Sequence, residues 1–548
     1  MKMCEPPHSP AKLATAPTLR ALQSDDIVKF TDAVILEPPL ASWAGQLSAS
    51  REAGGGPDHI IQLRRSARKR LITCAEQYVL RLTAIATDSG MMSGRQPLLT
   101  GDPASSAVVM TGHQPVIFHP GLVFKYQTTE QFAAEHHAIP VAVVIDTDEG
   151  DPGAFSFPVQ DPAVGSVTAS ALLPRLLTET ASFSSSATLY SSSRLSSPEQ
   201  IRQVRCRVAE SLRSCGCDAS ARVFGQVADE YAAVKTPFTA EASLIVRWQH
   251  GIGARMPELP LSAICSFPEV LTLMAGILSR AAEFRTLHNE LLGLFRSEHR
   301  MRNPANPFPD LGGTEDEIEL PFWIVDHSTG VRSAAGCSRR GNQLQLLSKG
   351  QLMAQFELPV TEDAIASLLL SSRQLIPRGA LITALLRTLF CDLFVHGTGG
   401  GNYDRFTDLL VTRWWGTAPA PFVVASATRC LFPEARQQIG RVQSVDRQLR
   451  DLMYHPQKHF GTGVFPEPLE QRLQLLMESK ARAVEQMQQA HRDGQSARAL
   501  GRQVQQVSDD VRALVSREYD GQLALLKDLR DEHIATLHNR TWPWFFFD

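Results

Sequence analysis

Residues 107–151 read AVVMTGHQPVIFHPGLVFKYQTTEQFAAEHHAIPVAVVIDTDEGD, and the order of parts in this stretch decides the fold class. Ala107–Met110 is a short apolar run, followed by a polar loop that ends at Gly121. Leu122–His136 then carries Val123, Phe124, Tyr126, Phe132 and Ala133 at helical spacing, and Pro140–Ile145 is a second continuous apolar run. Apolar runs without alternation predict strands buried on both faces, and strand, loop, helix, strand is a parallel crossover unit. In such sheets ligands bind at the carboxyl ends of strands. The pocket is therefore expected where the two runs end, at Thr111–Lys125 and at Asp146–Asp151.

A second unit lies far downstream. Gly379–Leu389 is helical in pattern, and Leu393–Val395 makes a strand that runs into His396–Gly401. Helix Tyr403–Trp415 and strand Phe422–Ala425 complete it. Two crossovers separated by an insert predict a split, doubly wound α/β domain. Five regions follow. Residues 1–105 form an N-terminal helical region with its main helix at Ile60–Thr87 and a loop at Ser89–Ser106. Residues 106–198 form the first half of the core, ending in the Ser-rich Thr168–Pro198, expected as an irregular surface connection. Residues 199–300 form a helical insert. Residues 301–435 form the second half of the core, where Pro321–Val325 and Gln343–Leu347 predict a return to β structure. In residues 436–548, Leu469, Leu473, Leu476, Val484 and Met487 space one long helix. Val504, Val507, Val511, Leu514, Leu525, Leu526 and Leu529 space another, across a turn at Asp493-Gly494. That is an antiparallel coiled-coil pair, and a homodimer would form through it.

The composition of the 548 residues excludes several classes. With 43% hydrophobic and 20% charged residues, the chain is neither collagen-like, nor disordered, nor a small disulfide scaffold. Lys plus Arg (54) against Asp plus Glu (57) gives a charge of -3, so no global basic field calls for nucleic acid. The local basic stretch Arg64–Arg70 (RRSARKR) predicts a solvated helix face. Nine scattered cysteines, with Cys215 and Cys217 the only close pair, read as reduced thiols. The N-terminus has no apolar run after its lysines, and no window approaches 18 apolar residues. The expectation is a cytoplasmic protein with no membrane partner.

Three segments carry chemistry. In Thr111–Lys125, His113 and His119 lie between a strand and a helix start, where unpaired N–H groups and the dipole favour phosphate or carboxylate. Gly121 would admit such a group to the backbone and Lys125, a turn inside the helix, would reach it. His113 and His119 would donate to it or transfer protons. Thr111, Gly112 and Gln114 share that strand end and are binding candidates with them. Asp146 and Asp148, at the next strand end, would hold an amine, a ribose or Mg²⁺, or simply solvate a loop. His396–Asp404 (HGTGGGNYD) opens a helix with a backbone cradle at Gly397, Gly399, Gly400 and Asn402, with His396 as a candidate base. Arg378 is a further anion-binding candidate. No HExxH, GxSxG, EF-hand or zinc-finger spacing occurs, so no metal ligands are assigned.

The segments TGHQPVIFHPGLVFK and PVAVVIDTDEGD together resemble the core of the bacillithiol-biosynthesis cysteine-adding enzyme family. LIPRGALITALLRTLFCDLFVHGTGGGNYDRFTDLL and PFVVASAT are similar to that family's later helix, strand, glycine loop and strand. The resemblance in order spans nearly the whole chain, with matching motifs in about a fifth of it. It implies a split Rossmann-like core related to nucleotidylyltransferases and class I aminoacyl-tRNA synthetases. It also implies a carbon–nitrogen ligase that adds L-cysteine to an amino-sugar acid, glucosaminyl malate. His113 stands where the family has glutamine, the acidic stretch lacks its Glu-Asp-His-Asp order, and His396 and Asn402 depart from its glycine loop. Amide formation needs an activated carboxylate, most simply an adenylate or phosphate, so ATP is a candidate cofactor. The acidic cluster would hold the substrate amine or a metal such as Mg²⁺, and the residues require neither cofactor. His119, Lys125 and the Gly121 backbone would stabilise the phosphate charge, and His396 or His113 would be the base. The residues also admit a nucleotide- or phosphate-handling transferase with another substrate, or a non-catalytic ligand-binding scaffold.

Overall fold

The central sheet has six strands, which we number β1 (Ala33–Glu37), β2 (Val108–His113), β3 (Ile139–Val144), β4 (Glu258–Pro260), β5 (Leu393–His396) and β6 (Phe422–Thr428). They lie in the order β1-β6-β5-β2-β3-β4 in a computed structural model that describes residues 33–52, 56–91, 106–161, 175–186, 188–301, 308–314, 317–493, 495–519 and 531–547. Strands β2 to β6 are mutually parallel, and β1 closes one edge antiparallel to β6. The result is a mixed α/β protein with a largely parallel core. After β1 at the edge, the parallel part begins at β2, winds outward through β3 to β4, then returns to β5 beside β2 before winding the other way to β6.

Both faces of this sheet are covered, which is why its strands read as unbroken apolar runs. Five helices flank it: α1 (Trp43–Glu52), α2 (Asp58–Asp88), α3 (Pro120–Glu135), α4 (Ala380–Leu389) and α5 (Thr398–Trp415). Val108, Met110, Val141, Val143 and Phe394 pack on one side with residues of α2, α4 and α5. Val109, Leu393, Val395, Val423 and Ala425 pack on the other side with Trp43 and Leu47 of α1 and Phe124 and Phe132 of α3. A fully buried side chain of this size contributes roughly 1.5–3 kcal/mol. A polar residue enters such a run only with a partner: Thr111 is fully buried and its hydroxyl donates to Val395 O at 2.8 Å.

The structure corrects several expectations. Within residues 1–105, Ala33–Glu37 is a strand, paired along its whole length with β6. Residues 199–300 supply five helices of ten residues or more, but Glu258–Pro260 between them joins the central sheet. A three-residue strand is too short to show a period. Residues 318–377 do not return to the central sheet. They form a separate antiparallel sheet in the order 351–357, 343–348, 331–340, 318–326, 373–377. Three of its connections are tight turns at Gly330, Gly341 and Gly350, all at positive φ, and a short turn yields only antiparallel neighbours. In the Ser-rich stretch, Leu176–Ser182 pairs with Ala154–Gln160, and Ser193 is fully buried.

The basic stretch is a solvated face at Arg65, Lys69 and Arg70, but Arg64 and Arg68 turn toward the core. Arg64 and Arg68 pair with Asp392 at 2.7 and 2.8 Å, and Arg70 with Glu269 at 3.1 Å. Glu467–Arg492 and Arg498–Glu518 pack as a helical hairpin through Leu473, Val507, Val511 and Val515. Leu525, Leu526, Leu529 and most of the loop Ser89–Ser106 lie outside the described residues. No helix among the described residues is long and apolar enough to cross a membrane. Trp542, Phe545 and Phe546 are buried in the core built by 155–183 and 201–248, a packing that the helical reading of the C-terminal region did not anticipate.

Candidate functional site

Strands β2 and β5 are neighbours, and each feeds a helix from its carboxyl end: β2 into α3, β5 into α5. Winding reverses between them, and reversal points are where open α/β sheets bind ligands. The two helix starts there are not equivalent. At α3, His119 is the N-cap, and its Nδ1 accepts the Gly121 N–H at 3.1 Å. Pro120 has no N–H, and Leu122 and Val123 donate to His119 O. A Cβ on Gly121 would lie 2.8 Å from Ala427 O and 2.9 Å from Ser426 Oγ, so β6 fills the space before it. The expected anion site at Gly121 is therefore closed. Its donors are used by the fold.

Lys125 departs from expectation for the same reason. It is 2% exposed, and its Nζ donates to Gly112 O at 2.8 Å. Burial holds its ammonium down to about 7. It clamps α3 to the end of β2 rather than projecting into a wet cleft. Burial likewise lowers His119 to about 4, with Arg540 and Lys125 adding to the effect. His113, against the Phe118 ring, is lowered to about 3 by burial and then by Lys125, and its Nδ1 lies 3.2 Å from Gln114 O. Both imidazoles are neutral near pH 7.

At α5 the helix start is open. Gly397 is the N-cap and offers no side chain, and its carbonyl accepts only from Gly401. The N–H groups of Thr398, Gly399 and Gly400 have no partner among the described residues, and Gly399, Gly400 and Asn402 are exposed. Beneath this turn lies His396, whose Nε2 is 2.7 Å from Asp404 Oδ2. Although burial pushes the Asp404 carboxyl up, His396 and Arg387 hold it well below the usual carboxylate range. The arrangement can bind an anion through backbone dipoles and exchange a proton beside it.

The remaining candidates divide into two groups. Asp146 is buried and accepts from the Ser262 N–H at 3.0 Å and hydroxyl at 2.5 Å, joining the ends of β3 and β4. Gln114 donates to Asp148 at 2.9 Å, and Asp148 pairs with Arg332 of the antiparallel sheet. Arg332 and Arg378 both lie over Trp323, at 4.6 and 5.1 Å, and Arg378 pairs with Glu319. Gln114, Asp148 and Arg378 thus belong to one strip that fastens the antiparallel sheet to the rim of the core. Sequence reasoning missed Asp404, Arg387, Trp323 and Arg332. Asp404 closes the quoted glycine segment and had a local signal, eight residues after His396. The others depend on pairings across the fold.

The uncapped turn of α5 offers backbone N–H donors of the kind that phosphate accepts from. Asp146, Asp148 and Asp404 are each committed to neighbours, and no cluster of three His, Cys, Asp or Glu side chains suited to a metal occurs among the described residues. A cavity of about 560 Å³ lies elsewhere, between helix Pro268–Ser279 and residues 358–362, and takes in none of these groups. No protein-family model matches the chain, and no curated protein matches it.

Proposed function

We propose that this chain is an enzyme on a split Rossmann-like fold related to the nucleotidylyltransferases. It joins L-cysteine to the amine of an amino-sugar acid of the glucosaminyl malate type through an activated carboxylate. The observation that carries an anion-handling enzyme is the uncapped glycine turn of α5 at the β2–β5 reversal, with His396 directly beneath it. The reaction class rests on the resemblance of the segments around His113–Lys125 and Arg378–Asp404 to the cysteine-adding family.

A free carboxylate is a poor acyl donor, and activation places negative charge on a phosphoryl group. ATP would supply that group. The N–H groups of Thr398, Gly399 and Gly400 would face such charge, and dipoles fixed by the fold stabilise it without reorganisation. His396 stands beside them to take the proton of the attacking amine. His119, Gly121 and Lys125 hold α3 against β2 and β6, and Mg²⁺ has no assigned ligands in this reading.

The test combines binding with product analysis. The protein is incubated with ATP, L-cysteine and glucosaminyl malate, and the amide is sought by mass spectrometry. Thermal shift with phosphate and with ATP runs in parallel. Thr398→Pro removes one donor at the first helical position, where proline is tolerated. It should weaken phosphate binding about 10-fold or more, the loss expected for one hydrogen bond to a charged group. ATP-dependent amide formation supports the ligase. Phosphate binding without amide shifts the assignment to a transferase with another substrate. No stabilisation by any of these compounds overturns the enzyme reading.

A further inference from the structure

We propose that Asp404 is a positioning residue that fixes the His396 ring with Nε2–H on its carboxylate, leaving Nδ1 as the proton-accepting atom at the α5 turn. This rests on the reading of that turn as the anion site. Asp404 is 3% exposed and its carboxylate accepts three hydrogen bonds. Oδ1 accepts from the Thr383 hydroxyl at 2.6 Å, and Oδ2 accepts from Arg387 Nη1 at 2.7 Å and from His396 Nε2 at 2.7 Å. Arg387 is itself held by Ala420 O at 2.7 Å and Asp408 at 2.5 Å. The carboxylate has no freedom to turn away.

An ionised carboxylate only accepts, so the imidazole nitrogen facing it carries the hydrogen. The neutral ring then has its lone pair on Nδ1. Nδ1 faces Gly400: a Cβ there would lie 2.5 Å from it. Only a residue without a side chain leaves Nδ1 room at the turn whose N–H groups are unpaired. The proton lost by a nucleophile bound beside the anion passes to Nδ1 and from there to solvent. The nucleophile keeps the electron pair, which forms its bond to the activated acyl carbon as the acyl–oxygen bond breaks and the phosphate leaves with that bond's electrons. Asp404 touches no substrate and acts through His396.

The experiment is nitrogen-15 NMR of the full chain labelled at histidine, without substrate, at a pH where the His396 ring is neutral. The expected result is a proton on Nε2 and none on Nδ1. Asp404→Ala should release the ring to a mixture of both forms, and Asp404→Asn should shift it partway. Gly400→Ala should perturb the Nδ1 resonance while Asp404 stays in place. Inorganic phosphate added to wild type should shift Nδ1 more than Nε2. A wild-type ring protonated on Nδ1 overturns the proposal without any variant having to fold. So does an unchanged tautomer in a folded Asp404→Ala protein. An Nε2–H ring that ignores phosphate sinks the anion-site reading instead, and the two failures are thereby distinguished.

Discussion

Histidine is an unusual helix cap, and at α3 it takes the place that Ser, Thr, Asp or Asn fills at most helix starts. His119→Ala should lower stability by about 1 kcal/mol in a denaturant titration, while His119→Asn, which can also cap, should retain most of it. The same burial sets a pH dependence. His113 and His119 stay neutral in the fold down to about 3 and about 4, whereas the unfolded chain binds both protons below about 6.5. The unfolded state thus holds more protons in that interval, and stability falls as pH drops through it. Melting temperature should decline from pH 7 to pH 4, and less steeply in a His113→Gln, His119→Asn protein. Lys125 gives a separate window. Its folded value of about 7 lies below the unfolded value of about 10.4, so stability rises with pH between them. Lys125→Met should abolish that rise and leave phosphate affinity at the α5 turn unchanged.

Elements are joined at points where a single residue serves several neighbours. Asp392 accepts from Arg64 and Arg68 of α2 and from the Val108 N–H at 2.8 Å, which ties that helix to the starts of β2 and β5. Asp392→Ala would strand a buried N–H and leave two cations unpaired. The expected loss is about 3 kcal/mol by chemical denaturation, near the low end for broken buried pairs because both arginines keep some contact with water. Asp392→Asn, which keeps an acceptor, should lose less. Between α3 and β6 the critical point is Gly121. A methyl group there meets a backbone carbonyl that cannot move aside, so Gly121→Ala should cost about 1–3 kcal/mol despite the better helix propensity of alanine. A stability equal to wild type would show that α3 can shift along β6.

For the molecule as a whole, residues 540–547 act as a strap. Trp542, Phe545 and Phe546 bury in the core around Phe155, Phe183 and Phe224, and the Trp544 N–H donates to Phe118 O at 2.8 Å. The loop carrying His113 and His119 is thereby held from outside. Phe545→Ala should lower stability by about 3–5 kcal/mol, as for other buried phenylalanines. Hydrogen exchange should increase across residues 113–121 in that variant. Exchange that increases only in the surrounding helices would mean that the strap does not hold the loop.

Local pattern by itself determined the parallel core. AVVM, PVAVVI and LFV are continuous because both faces of those strands are buried, and the run of residues shows this without any partner being known. The glycine turn after His396 was legible for the same reason, since a strand and a helix flank it directly. Which turn is open was decided only in three dimensions. HPG at α3 and HGTGGG at α5 look alike as helix starts, but one is closed by its own histidine and by Ala427, some 300 residues downstream. The partners of Arg64, Asp148 and Arg378 lie in segments that the chain brings together from far apart, so periodicity holds no trace of them. A side chain's chemistry is written in its type. Whether that chemistry is spent on the fold or left for a ligand depends on which neighbours reach it first.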